Sequence, residues 1–334
     1  MSSPAVDRLH AAVSDATRAF GAEDPRTLDA RLALGLGFRE RERDHDAYAE
    51  LTAVAQARAR VLGPDHPDTF TARHEAALSR YHLHLLQEEP EPEALPEAIR
   101  QMEAVTADRE RVLGWAHPDT LDGAMNLGAA YGAAGRHAEA EALESRILPG
   151  WERVVADHER ALGPDHLETQ FRRRRLAWEL DCRGRRDESL ALRLEVRAAL
   201  GRIVADRTAR LGPVHPGTVE ARIEHALAHG WTGYPDDELR LNRELVADHE
   251  RILGPSHPRT LRALAEFART HHTLPEAGDL AVRIIHEVAA AGDEDVLSTV
   301  RNALILSLGA TDRRDEVTAL IARYPPPGGE DDRC

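Results

Sequence analysis

The phrase LGPDHPDTF (62–70) returns as LGWAHPDTL (113–121), LGPDHLETQ (162–170), LGPVHPGTV (211–219) and LGPSHPRTL (253–261). FGAEDPRTL (20–28) is an earlier copy, and AGDEDVLST (291–299) a degenerate later one. Their glycines stand at 21, 63, 114, 163, 212, 254 and 292, so the spacings are 42, 51, 49, 49, 42 and 38. Self-similarity at such a period marks a repeat architecture. A second phrase precedes the glycine: TADRERVLG (106–114), VADHERALG (155–163), VADRTARLG (204–212) and VADHERILG (246–254).

Each phrase has a mechanical reading. Leu-Gly ends a helix, because glycine takes the left-handed position after the last turn without a Cβ clash. His-Pro starts the next, since proline suits a first helical position that has no N–H partner. Asp68, Asp119 and Glu168 follow in the first turn, where the helix dipole favours them. Apolar residues then recur at helical spacing, as Leu121, Ala124, Leu127, Gly128 and Tyr131 do, until Gly135-Arg136 turns the chain back. Each unit is therefore a helix–turn–helix. Gly135 to Gly163 and Gly184 to Gly212 each span 28 residues, which lengthens the second helix by about two turns without changing its apolar face. Pro149-Gly150 is expected to kink or break that helix in unit three. QEEPEPEALPEA (87–98) reads as an acidic, proline-rich loop.

The chain has 334 residues, 42% apolar and 4% aromatic, with a net charge of −15. The apolar content is too high for a disordered chain. No run of about 18 apolar residues exists, so no membrane span or signal peptide is expected. There is no lysine, and all 43 basic residues are arginine. That excludes a Walker-A loop, a Schiff-base lysine and the kinase β3 lysine. The acidic balance argues against nucleic acid as a partner. Cys182 and Cys334 are too few for a disulfide framework or a cysteine zinc site, which fits a cytoplasmic protein.

The pattern LG-x-x-HP-x-T, then small and apolar residues, then Gly-Arg and a long second helix, resembles the kinesin-light-chain type of tetratricopeptide repeat, common in actinobacterial proteins. The resemblance runs from about residue 5 to 322, strongest at Asn126 to Tyr131. Phe38, His229 and His271 take the tyrosine place in other units. It implies an all-α fold: an α-solenoid of about seven helix–turn–helix units forming a right-handed superhelix. Residues 1–20 would be a capping helix, 21–324 the solenoid and 325–334 a disordered tail. First helices would line a groove that holds a protein or peptide. The groove place of Asn126 is held elsewhere by Ala33, Glu75, Arg175, Glu224, Glu266 and Asn302. One residue earlier stand Leu32, His74, Met125, Arg174, Ile223, Ala265 and Arg301.

Arg172 to Arg175 is the sharpest local feature, with Trp178 about one turn on. Arginine beside an aromatic suits carboxylate or phosphate capture, so Arg174 and Arg175 are candidates for contact with an acidic segment of a partner. A charge run neutralised by nearby glutamates is the other reading. His66, His117, His166, His215 and His257 share one repeat slot, which marks a structural device. The Asp-His-Glu triplets at 157–159 and 248–250 read the same way. His225 and His229 stand at helical i, i+4 spacing, which suits zinc. But His225 holds a core slot, no third ligand is near and Gly230 ends the helix, so neither metal nor cofactor is expected. Arg183 next to Cys182 is of the kind that lowers a thiol's pKa, but a buried or inert thiol is the expected reading. No catalytic motif stands out, so the expected role is a non-enzymatic scaffold, adaptor or regulator. The alternative is an enzyme or accessory factor of a small-molecule pathway, with the groove closed into a pocket.

Overall fold

A computed structural model describes residues 4–41, 43–86, 92–308 and 313–324. Among these, about 85% are helical and no strand occurs. The helices are α1 (Pro4–Phe20), α2 (Pro25–Arg39), α3 (Asp44–Val61), α4 (Pro67–Leu86), α5 (Ala94–Leu113), α6 (Pro118–Ala133), α7 (His137–Leu162) and α8 (Leu167–Cys182). They continue as α9 (Arg186–Leu211), α10 (Pro216–Trp231), α11 (Pro235–Leu253), α12 (Pro258–Thr270), α13 (Pro275–Ala291), α14 (Glu294–Leu308) and α15 (Arg314–Arg323). After α1 they pair as hairpins, from α2–α3 to α14–α15.

The chain divides into two compact units, one through Ala156 and one from Asp157. In the first, each helix from α1 to α6 packs on the next, and α2 meets α4 as α4 meets α6. In the second, the same succession runs from α8 to α15, and α12 meets α14. This is the packing of an α-solenoid.

The joint between hairpins explains the repeated phrase. His117, His166, His215 and His257 are helix N-caps, and His66 does the same for α4. Each Nδ1 accepts the backbone N–H two residues on, at 3.1–3.2 Å. Asp24 does this for α2. The following threonines, Thr27, Thr69, Thr120, Thr169, Thr218 and Thr260, are fully buried. Thr27, Thr69 and Thr169 donate to the carbonyls of Gly21, Gly63 and Gly163 at 2.8–2.9 Å. Five residues before the glycine, Arg58 and Arg109 are buried and donate to the carbonyls of Asp68 and Asp119, each at 2.9 Å. Arg207 reaches Gly217 in the same way.

The joint glycine departs from expectation. Gly114, Gly212 and Gly254 combine φ of 88–92° with ψ of 157–161°, an extended region and not the left-handed helical one. The chain leaves one helix and runs straight into the next cap, which needs an extended residue of inverted φ that only glycine takes easily. Gly163, at φ +94°, belongs to this set. Gly163→Val is expected to cost about 1–3 kcal/mol, and equal thermal stability of that variant would refute the assignment.

Two further expectations change. Helix α7 runs unbroken through Pro149. Its flanking turns are held by Ile147, Leu148, Trp151, Val154 and Val155, all buried, and Gly150 lets it lie close on Leu121. A methyl on Gly150 would fall 2.5 Å from a Leu121 carbon. Helix α5 begins at Ala94, so 94–98 is helix, and Pro96 sits in a first turn where its missing N–H costs little. Residues 87–91 and the expected tail at 325–334 lie outside the described residues. Helices α7 and α9 have 26 residues against 19 in α11, the two-turn extension read from the glycine spacing.

Candidate partner-binding face

The residues expected to line a groove lie on α2, α4, α6, α8, α10, α12 and α14, and two pairs of them bond from one hairpin to the next. The residue in the earlier slot of one hairpin bonds the later slot of the next. His74 on α4 meets Asn126 on α6 at 3.1 Å, and Arg174 on α8 meets Glu224 on α10 at 2.7 Å. Burial above all, with Arg109 nearby, pushes His74 down to about 4, so the ring is neutral at pH 7. Glu75 accepts from Arg39 on α2. Met125 is half-buried. Glu266 and Asn302 are exposed, and Glu266 pairs with Arg269 on its own helix at 2.9 Å. Arg301, taken as groove-lining, is instead buried, donating to the Tyr324 carbonyl at 3.2 Å and pairing with Glu294.

The arginine run spreads round α8, and each member has a glutamate: Arg172 with Glu168 at 3.7 Å, Arg173 with Glu159 at 2.7 Å, Arg174 with Glu224, and Arg175 with Glu179 at 3.4 Å. Two of them also lie on aromatic rings. Arg174 is 5.0 Å from the Trp231 ring centre and 5.4 Å from that of Phe171, and Arg175 is 4.3 Å from that of Trp178. The Trp178 side of this cluster is open, with the residue 44% exposed. Burial raises the Glu224 carboxyl despite Arg174 beside it. A guanidinium lying on an aromatic ring presents a cationic face of the kind that suits a carboxylate.

The histidine candidates resolve as packing. His225 and His229 stack edge to face at 4.9 Å, and α10 runs one residue past Gly230 to Trp231. Among the described residues, no three His, Cys, Asp or Glu side chains are grouped to hold a metal. The Cys182 thiol is pushed up, by burial first and then by Glu179, which outweigh Arg183. In the second unit, Arg243, Glu250, Glu276, Arg283, Leu264 and Phe267 border a cleft of about 400 Å³. Arg243–Glu276 and Arg283–Glu250 are ion pairs among its lining residues.

The sequence pattern missed the pairing between slots, the buried threonines and the buried arginines. Thr and Arg recur at fixed offsets from the glycine, and that recurrence was the available signal. A family model for the tetratricopeptide repeat matches residues 120–168 and 224–259. The chain carries tetratricopeptide repeats. They include Asn126 to Tyr131, where the resemblance was strongest. The fold is similar to the solved kinesin light chain TPR-like repeats of Podosopora anserina. Identity is 22%, over 67% of this chain and 95% of that one, with a TM-score of 0.38. It is similar also to BtubC (BKLC) from P. vanneervenii, at 11% identity over 95% and 92% of the chains and a TM-score of 0.27. Likeness of that degree bears on neither partner nor activity. A search of curated proteins found no significant match. No helix among the described residues is long and apolar enough to cross a membrane.

Proposed function

We propose that this tetratricopeptide-repeat chain is a non-enzymatic docking scaffold, an adaptor or regulatory module of the cytoplasm. It holds a protein or peptide against its first helices. The partner presents an acidic segment to Arg174 and Arg175, with Trp178 as the exposed ring beside them. The observation that carries this is the exposed Trp178 ring beside Arg175, next to Arg174 on Trp231. These are residue types that dominate binding energy when a partner covers them. The smaller expectation, an enzyme with a closed groove, has no such cluster behind it.

The test begins with affinity capture from the native source and mass spectrometry of the retained protein. Its Kd is then measured by calorimetry against wild type and against Arg174→Glu with Arg175→Glu. The double variant is expected to bind roughly 10–100-fold more weakly. Unchanged affinity would end the acidic-segment reading.

A further inference from the structure

Arg193 and Arg197 stand one turn apart on α9, and both reach the end of α10 and the turn that follows it. Arg193 donates to the Trp231 carbonyl at 3.5 Å and pairs with Asp181. Arg197 donates to the Thr232 hydroxyl at 2.9 Å, and its guanidinium lies 4.5 Å from the centre of the Tyr234 ring. The Trp231 ring in turn carries Arg174, at 5.0 Å. The four residues from Trp231 to Tyr234 therefore join Arg174 on the partner-binding face to a second guanidinium on a second ring. All of these residues belong to the second compact unit.

The turn has this shape for local reasons. The Thr232 hydroxyl donates to the Ala228 carbonyl at 2.8 Å, which leaves its oxygen to accept from Arg197. Gly233, at φ +88°, takes the inverted backbone that brings Tyr234 out of the hairpin end. Tyr234 is 48% exposed.

Arg197 differs from its neighbours in charge balance. Arg174, Arg175 and Arg193 have Glu224, Glu179 and Asp181. Arg197 is half-buried and makes no ion pair among the described residues; its partners are the Thr232 hydroxyl and the Tyr234 ring. Its charge is felt by His225 and His229, which it helps hold neutral, and by Asp237. That carboxylate is bonded to Arg240 at 3.0 Å. A guanidinium held by a neutral hydroxyl and a ring keeps its charge for an incoming anion, and its planar fork suits a carboxylate.

We infer, taking Arg174 and Arg175 as the first contact proposed above, that Arg197 with Tyr234 is a second anchor for the same acidic segment. The partner then carries a further acidic side chain close in sequence to the first. Trp231 and Tyr234 are three residues apart, so their α-carbons are separated by at most about 11 Å. Acidic residues two or three positions apart in an extended segment span that distance.

Fluorescein-labelled octaglutamate is the probe, and its binding to the full chain is followed by fluorescence polarisation. Wild type is expected to bind it. Arg197→Gln, which keeps a donor for Thr232, is expected to weaken binding roughly 5–10-fold, and Tyr234→Ala roughly 2–5-fold. Arg259→Gln is the control. That side chain is exposed on α12 and makes no ion pair among the described residues, so it removes the same charge elsewhere in the unit and is expected to leave affinity unchanged. Wild-type affinity in Arg197→Gln, with binding lost in Arg174→Glu plus Arg175→Glu, overturns the second anchor and leaves the first. A loss in Arg259→Gln as large as in Arg197→Gln also overturns it, since net charge would then account for both. Equal binding by wild type and the Arg174→Glu, Arg175→Glu variant overturns the first contact, and no binding to wild type overturns both.

Discussion

Trp151→Ala is expected to lower stability by about 3–5 kcal/mol. Trp151 is 1% exposed and is the largest fully buried side chain among the described residues. It follows the Pro149-Gly150 pair that brings α7 down on Leu121, so its removal leaves a cavity under a helix already short of one backbone hydrogen bond. Neighbours cannot close that cavity easily, because α7 is pinned on both sides of the proline. Trp178→Ala supplies the contrast. That ring is 44% exposed, and its loss is expected to change stability by no more than about 0.5 kcal/mol while weakening partner binding. Urea unfolding of both variants by circular dichroism separates the two roles. A midpoint for Trp151→Ala equal to wild type would place the α7 register in error.

The hairpin architecture was legible because its punctuation is chemical. A histidine before proline, a threonine two residues past that proline and a glycine after the second helix each do a job that few other residues do, and they do it in one place. What stayed hidden depends on distances between hairpins. That His74 meets Asn126, and Arg174 meets Glu224, follows from the offset of one first helix against the next, which no spacing within a unit reveals. Pro149 misled because a proline signals a lost bond, whereas the buried residues on both sides decide whether the helix survives it. At Cys182 the neighbour in sequence, Arg183, matters less than burial and Glu179, one turn earlier, which raise the thiol.

Mild acid is expected to unfold the chain in a window set by its buried histidines; His74 and His225 are shifted most, and burial lowers His82, His229 and His271 in the same direction. Burial holds His74 and His225 down to about 4, helped at His74 by Arg109 and at His225 by His229, Arg197 and Arg240. In the unfolded chain both rings take up a proton near pH 6.5. Between these values the unfolded state binds more protons, so stability is whole above about pH 6.5 and falls as pH drops toward 4. For the deeply buried His74 a depression of that size is about 3 kcal/mol by pH 4, a large part of the roughly 5–15 kcal/mol typical of a folded domain, and the part-exposed His225 contributes less because solvent screens it. Paired carboxylates such as Asp65 and Asp165, held low by Arg111 and Arg202, act in the same direction but only below the ordinary carboxylate range. Glu224 and Glu238, raised by burial, act in the opposite direction and soften the loss. One of the two most shifted histidines lies in each compact unit, so each unit has its own acid-sensitive step. Urea midpoints at pH 7, 5.5 and 4.5 are expected to fall steadily in wild type, less in His225→Gln, and least in His74→Gln with His225→Gln. If the double variant tracked wild type across that range, the neutral buried rings would not be the source of the acid sensitivity.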